Sequence, residues 1–218
     1  IYRISKKDAS GPQWTRGLSL GNATDDELVS RLADPNAWWR QNAQRLLIDR
    51  NSKRSIELLH KMLESQSAVG RLHALWTLQG LKQLSASHVQ NALRDAEPGV
   101  RENAIKLAEL HLANSPTLAN SLFALKSDSA GRVGFQLLCT LGFLDSREAD
   151  ETRWEILRRN IADKWVRAAA VSASVNLQSL IEKVMNMLES KVDLPALGKP
   201  TNPTSAKSLS SRMIHSSM

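Results

Sequence analysis

The stretch "DAEPGVRENAIKLA", residues 95–108, decides the fold, because related stretches recur along the chain. Each copy has an acid or Ser, a short polar turn, an apolar or small residue, an Arg position, and an apolar residue three positions later. The copies are "DPNAWWRQNAQRLL" from residue 34, "SAVGRLHALWTL" from 67, "DAEPGVRENAIKLA" from 95, "DSAGRVGFQLLCTL" from 128 and "ADKWVRAAAVSASV" from 162. Their apolar reference residues Ala43, Ala74, Ala104, Leu137 and Ala170 are spaced by 31, 30, 33 and 33 residues. A fixed period of this length predicts a repeat protein.

Each copy has the apolar spacing of an amphipathic helix, as Val100, Ala104, Leu107 and Ala108 show. A second set of helices is predicted between the copies. These helices are "TDDELVSRLA" from residue 24, "RSIELLHKMLE" from 54, "SHVQNALRD" from 87, "TLANSLFALK" from 117 and "ETRWEILRRNIA" from 151. Helical hairpins at this period stack to bury their apolar faces. The sequence therefore predicts an all-α, right-handed HEAT-like superhelix of about five hairpins over residues 18–190.

The two ends of the chain do not follow the repeat. Residues 1–17 begin "IYRI", which predicts a linker or the last strand of an upstream β domain. Residues 191–218 are rich in Pro, Ser and Thr and predict a disordered tail. Between them, "SLIEKVMNML" is predicted to be a helix that ends the stack.

Composition and charge limit the function. The formal net charge is +7, but residues 1–17 carry +3 and residues 189–218 carry +2, so the body is almost neutral. This distribution argues against a nucleic-acid-binding stripe. The sequence has no apolar run of the roughly 18 to 20 residues that a membrane-spanning helix needs. The single Cys139 lies in an apolar helix and is interpreted as a buried thiol, with a reactive thiol as the alternative.

The Arg positions form a column along the repeats, which the fourth copy interrupts with Gly134. Equivalent side chains align in a stack, so we expect a structural ladder of arginines interleaved with acids of neighbouring turns. Its predicted members are Asp34, Arg40, Arg71, Asp95, Arg101, Asp128 and Arg167. The alternative is that the arginines bind phosphate or nucleic acid. The acids are also expected to cap exposed helical N–H groups.

The remaining candidates belong to an interaction surface. Trp39 occupies an apolar core position, whereas Trp38 and Trp165 lie one residue earlier and point elsewhere. Those two either cover the hairpin turns or act as aromatic anchors for a partner. Further polar and aromatic candidates are expected either to form an internal hydrogen-bonded ladder or to contact a peptide on a concave face. They are Asn42, His73, Trp76, Asn103, Lys106 and Gln136.

Signals for catalysis or for a bound cofactor are weak. The five His residues show no metal-binding spacing, and the sequence lacks CxxCH, the motif for covalent haem attachment. "GLSLGNATDDE" lacks the Gly-Lys-Ser/Thr ending of a phosphate-binding loop. We therefore expect no catalytic residue, metal site or cofactor in this chain.

Several stretches resemble the HEAT-like middle region of the large membrane-bound dehydrogenase family of planctomycetes and their relatives. They are "IYRI", "LSLGNATDDELVSRLADPNAWWRQNAQRLL", "GRLHALWTLQGL", "VRENAIKLAE" and "FQLLCTLG", and the resemblance covers roughly residues 1–177. The family combines a β-propeller, a HEAT-like solenoid and a c-type haem domain. The resemblance implies an exported, periplasmic redox protein in which this segment joins the propeller to a haem domain downstream. It assigns no dehydrogenase or haem residue to this chain.

These observations predict a non-catalytic scaffold whose partner is protein, either adjacent domains or another chain. The first alternative is a stand-alone protein-binding scaffold, and the second is a HEAT-like protein that binds nucleic acid. The resemblance favours a fragment of a multidomain dehydrogenase.

Overall fold

The computed structural model describes residues 20–172 and Glu182, and every regular element in this part of the chain is helical. The helices are α1 (Asp25–Arg31), α2 (Ala37–Arg50), α3 (Lys53–Met62), α4 (Ala68–Gly80), α5 (Ala86–Ala92), α6 (Pro98–Glu109), α7 (Pro116–Phe123), α8 (Gly131–Leu141), α9 (Arg147–Arg159) and α10 (Lys164–Ser172). Short 3₁₀ turns occupy Leu112–Asn114 and Ala124–Ser127. The prediction of an all-helical repeat protein is confirmed.

The helices form five hairpins, each made of an odd-numbered helix and the even-numbered helix that follows it. The even-numbered helices pack in sequence, α2 on α4, α4 on α6, α6 on α8 and α8 on α10. Among the odd-numbered helices, α1 packs on α3, α5 on α7 and α7 on α9. The molecule is therefore a solenoid in which each repeat is covered by its neighbours.

The repeated apolar positions supply the core between the two rows of helices. The four reference alanines and Leu137 are all buried, and so are the apolar residues that follow them by one or three to four positions in α6, Ile105, Leu107 and Ala108. Leu47 is also fully buried in the first repeat. A 3.6-residue helix places these positions on one face, so burial follows directly from the spacing.

Side-chain caps fix where several helices begin. Thr24 and Glu27 form the predicted capping box at α1. Ser hydroxyls accept a backbone N–H at the starts of four other helices, which satisfies a donor that has no partner within the helix. These caps are Ser52 for α3, Ser67 for α4, Ser85 for α5 and Ser146 for α9.

Three predictions concern residues outside the described part of the chain. They are the extended segment at residues 1–17, the tail at 191–218 and the closing helix "SLIEKVMNML", of which only Glu182 is described. Residues 20–172 belong to one compact unit.

Candidate interaction surface

The arginine column is held by the backbone of its own repeat. In every copy that has the Arg, its Nη1 donates to the carbonyl oxygen six residues earlier, in the turn that precedes the helix. The distances are 2.7 Å for Arg40 to Asp34, 2.7 Å for Arg71 to Ser65, 2.8 Å for Arg101 to Asp95 and 2.6 Å for Arg167 to Ile161. Each arginine therefore fastens the turn of its own hairpin.

Two of these arginines also pair with a carboxylate of the next repeat. Arg71 donates through Nε and Nη2 to the two carboxylate oxygens of Asp95, at 2.7 and 2.6 Å. Arg101 makes the same two-pronged contact with Asp128, at 2.7 and 2.9 Å. All four side chains are largely buried, so water competes poorly for these bonds. These two contacts, named the Arg–Asp pairs below, link α4 to α6 and α6 to α8.

The two aspartates of the pairs are held in their charged form. Burial raises the pKa of Asp128, but hydrogen bonds from Arg101 and from the N–H of Ala130 outweigh it and hold the pKa below its usual range. The same balance, with Arg71 and the N–H of Glu97, lowers the pKa of Asp95. The pairs are therefore ionic at neutral pH.

The aspartates contribute a second bond that the sequence predicted only in outline. The carboxylates of Asp34, Asp95 and Asp128 each accept the N–H two residues later, at 2.8, 2.8 and 2.9 Å. These are Asx turns. The N–H that is capped belongs to the residue just before the helix, so the acids order the turn instead of capping the helix itself.

The predicted ladder does not extend along the whole column. The second copy has Ser65 where the first, third and fourth copies have an acid, so Arg40 donates its Nε to Nε2 of His73 at 3.1 Å. His73 in turn contacts Gln44 through Nδ1 at 2.7 Å. Burial and the charge of Arg40 lower the pKa of His73. Asp34, in the first repeat, forms its ion pair with Arg31.

The polar positions two residues after the arginines are bonded within the solenoid. Asn103 donates to the carbonyl of Gly99 at 2.8 Å and accepts from Nε1 of Trp76 at 3.0 Å, which ties α4 to α6. Asn42 donates to the carbonyl of Trp38 at 2.7 Å. Gln136 donates to Glu109 of the preceding repeat and to Thr140 of its own helix. Asn103 and Gln136 are thus bonded to a neighbouring repeat, whereas the bond described for Asn42 lies within its own helix.

One carboxylate on α6 forms ion pairs with two cations, one on α6 and one on α8. Glu102 accepts from Lys106 at 2.8 Å and from Arg132 of the next repeat at 2.6 Å. Burial raises the pKa of Glu102, but these two cations outweigh it and lower the pKa overall. Lys106, a candidate contact residue, is therefore already engaged. Sequence reasoning missed Glu102, although its place one residue after Arg101 put it on this surface.

Exposed apolar groups gather where the even-numbered helices begin. The residue five positions before the reference residue occupies the first turn of each helix and defines what we term the first-turn edge. Its members are Trp38, Val69, Gly99, Arg132 and Trp165. Trp38 and Val69 are each 43% exposed, and Trp165 is 64% exposed. Such exposure of two Trp side chains fits a contact surface better than a core.

The two tryptophans at position 38 and 39 divide as predicted into an outer and an inner residue. Trp39 is half-buried and lies beneath the guanidinium of Arg31, at 4.7 Å from the ring centroid. Trp38 meets its ring edge-on at a centroid distance of 5.0 Å. At the other end, Nζ of Lys164 lies 5.1 Å from the ring of Trp165. Neither outer Trp is covered as the turn-covering interpretation requires.

A groove of about 450 Å³ lies in the middle of the first-turn edge. It runs from Val69 and Leu72 on α4, past Gly99 on α6, to Gly131 and Arg132 on α8. The position of Gly99 carries a side chain in the other repeats, and a Cβ atom placed there would meet nothing closer than Arg132, at 3.8 Å. The groove is open because this residue is glycine.

The described residues contain neither a metal-binding cluster nor a membrane-spanning helix. No cluster of three or more His, Cys, Asp or Glu side chains there could hold a metal ion. In residues 20–172, no helix is long and apolar enough to cross a membrane. Cys139 is half-buried, and burial raises the pKa of its thiol.

Comparison with known proteins finds similarity to a solved structure, with no match to a family model or to a curated protein. Among solved structures, the chain is similar to a designed armadillo repeat protein in complex with the peptide (KR)4. The two are 17% identical with a TM-score of 0.45, and the match covers 85% of this chain and 96% of that one.

Proposed function

We propose that this chain is a non-catalytic scaffold whose first-turn edge binds a short apolar segment of a partner protein. One observation carries the proposal. An apolar groove lies beside Gly99 on the same edge that presents Trp38 and Val69 to solvent. Aromatic residues beside a preformed apolar depression are typical of the energetic centre of protein interfaces.

The state of the polar groups supports an apolar partner over a charged one. Lys106 and Arg132 already share Glu102, and Arg71 and Arg101 are engaged with aspartates. Binding of nucleic acid requires lysines and arginines that are free to meet phosphates. The alternative of a nucleic-acid binder is therefore the weaker one for this surface.

The proposal is tested by selecting peptides from a random displayed library on the whole chain. Binding of the selected peptides is then measured by fluorescence anisotropy. The key variant is Gly99→Leu, which fills the groove and places a better helix former in α6. We expect it to weaken binding at least tenfold while the melting temperature is retained. Trp38→Ala should weaken binding similarly.

The matched control is Phe143→Ala, because Phe143 is a large apolar residue, 70% exposed, that lies beyond the end of α8 and away from the edge. Its removal should leave peptide affinity within twofold of the wild type. Equal binding by Gly99→Leu and wild type, or a selection that enriches no peptide, contradicts the proposal.

The family context is a finer proposal and rests on the sequence resemblance. We propose that this segment positions a propeller and a c-type haem domain within an exported dehydrogenase. The chain itself does not fit haem c, because attachment through CxxCH needs two cysteines and Cys139 is the only one. The test is the complete reading frame, which should encode repeated β blades before this segment and CxxCH after it. The isolated segment should show no electron transfer with sugar substrates, and measurable turnover would contradict a purely spacing role.

A further inference from the structure

A pair of histidines, His60 of α3 and His88 of α5, connects two neighbouring odd-numbered helices across a cleft. A cleft of about 440 Å³ opens between α3 and α5, with buried Leu75 and Val100 among its lining residues. Across it, the rings of His60 and His88 lie with centroids 5.0 Å apart and planes tilted by 34°. The two imidazoles thus form a direct contact between the second and third repeats.

His88 is also part of the cap of α5, and its role there requires a neutral ring. The backbone N–H of Ser85 donates to Nδ1 of His88 at 3.2 Å. In return, Oγ of Ser85 caps the N–H of His88. A proton on Nδ1 would turn this acceptor into a donor, which loses the N–H of Ser85 and can donate instead to Oγ of Ser85, 2.9 Å away. Protonation of His88 therefore removes one half of the capping box.

Electrostatic repulsion between protonated rings should also loosen the contact between His60 and His88. Two imidazolium rings at 5.0 Å would repel each other across the cleft. The charged groups that line it from the other elements are Glu64 after α3, Arg71 of α4 and Asp95 after α5. Arg71 and Asp95 are engaged with each other, and Glu64 is exposed. Burial and the neighbouring His60 lower the pKa of His88, in agreement with this geometry.

The other contacts between odd-numbered helices do not titrate near neutral pH. Arg54 pairs with Asp26 between α3 and α1, and Lys126 pairs with Glu155 between the 3₁₀ turn after α7 and α9. The α5 to α7 contact is an uncharged hydrogen bond from a Gln side chain to a Thr hydroxyl. His is the side chain whose charge ordinarily changes between pH 5 and 8.

We propose that His60 and His88 form a proton-operated joint between the second and third repeats, closed when both rings are neutral and loosened when they are protonated. Loosening frees the start of α5 and widens the cleft, while the Arg–Asp pairs stay in place, including the Arg71–Asp95 pair that lines the same cleft.

The test follows the imidazole resonances of the whole chain by NMR and measures amide-exchange protection factors between pH 7.5 and 5.5. In the wild type, we expect the pKa of His88 to lie below 6.5. In His60→Gln, we expect this pKa to rise towards that value. Protection of α5 amides relative to α8 amides should fall as the pH falls, by up to about tenfold per pH unit for one proton.

The decisive variant is His88→Gln, because a Gln at this capping-box position keeps a side-chain oxygen for the N–H of Ser85 at every pH. Its α5 protection should stay within twofold over the same range. The proposal is overturned if this variant loses protection as the wild type does, or if His88 of the wild type titrates at or above 6.5. It is also overturned if zinc ions added at pH 7.5 shift both imidazole resonances, since the pair would then be a cation site.

Discussion

The junction between α6 and α8 differs from the junction between α8 and α10 at two residues of the repeat, because Gly134 stands in place of Arg101 and Ile161 in place of Asp128. The first has Arg101, whose side chain spans to Asp128. The second has Gly134 at the equivalent position, and Asp163 accepts only the N–H groups at the start of α10 among the bonds described. Both junctions bury the same kind of apolar face. The difference between the two junctions therefore separates the stability that apolar packing provides from the stability that the Arg–Asp pair adds.

At the second junction, an arginine from outside the Arg column contacts the end of α8. Arg153 of α9 is buried and donates to the carbonyl of Leu141 at the end of α8, and it also pairs with Asp150. Its Nε is buried without a hydrogen-bond partner among the described residues. An unsatisfied buried donor costs free energy. The last repeat is thus joined by a less complete set of bonds than the third and fourth.

The largest effect should come from the apolar core, and it should be similar at both junctions. Leu107→Ala and Leu141→Ala remove fully buried side chains on either side of the comparison. Each should lower the free energy of unfolding by about 2–5 kcal/mol. Urea denaturation measures both. A much smaller loss for Leu141→Ala would mean that the last junction is not packed like the others.

The next effect should distinguish the junctions. Asp128→Asn leaves the largely buried Arg101 without its carboxylate and should cost about 2–3 kcal/mol. Asp163→Asn keeps a side-chain oxygen that can cap α10, so it should cost less than about 1 kcal/mol. Equal losses in urea denaturation would show that the Arg–Asp pair contributes no more than the bonds that each acid accepts from backbone N–H groups.

Acidification should weaken the pair between Arg101 and Asp128. The folded pKa of Asp128 lies below its ordinary value of 3.8, so the unfolded chain binds protons more readily in this range. The stabilisation is present above about pH 4 and is lost as the pH falls through the folded pKa. We expect the Asp128→Asn variant to lose less stability than wild type between pH 4 and 2.5 in denaturant titrations. Identical slopes would contradict the role of the charge.

The smallest effect should be a gain. Gly134→Arg supplies the missing arginine, and a Cβ at this site would meet nothing closer than Ile156 at 3.9 Å. Replacing the helical glycine should contribute up to about 1 kcal/mol. The control Gly134→Ala measures this contribution alone, and adding Ile161→Asp to the Gly134→Arg variant places a carboxylate at the position equivalent to Asp128 and so tests the new ion pair. If the double variant is no more stable than Gly134→Arg, no pair forms.

The sequence determines the fold largely through period and spacing. The copies around Ala43, Ala74 and Ala104 predict stacked hairpins because identical apolar faces at a fixed interval have one common way to be buried. The Arg column and its acids likewise predict contacts between repeats, since equivalent side chains align.

What the sequence did not predict depends on residues outside the shared frame. His60 and His88 have no metal-binding spacing, yet they lie 28 positions apart on odd-numbered helices, close to one repeat. That near-period spacing was the available signal. Arg153 gave no signal, because a charged residue on α9 is ordinarily placed at the surface. The groove beside Gly99 exists because this residue has no side chain. A repeated pattern of side-chain types along the copies does not reveal such a gap.

The reach of the arginines has a consequence for how the protein bears mechanical load. Each of the two Arg–Asp pairs spans 24 or 27 positions, so it fastens only adjacent repeats. Junctions of this kind are arranged in series, and a force applied to the two ends is felt equally by all of them. Extension should begin at the junction between α8 and α10, where Gly134 provides no arginine for an Arg–Asp pair. Opening of this junction would release α9 and α10 while the repeats before them remain folded.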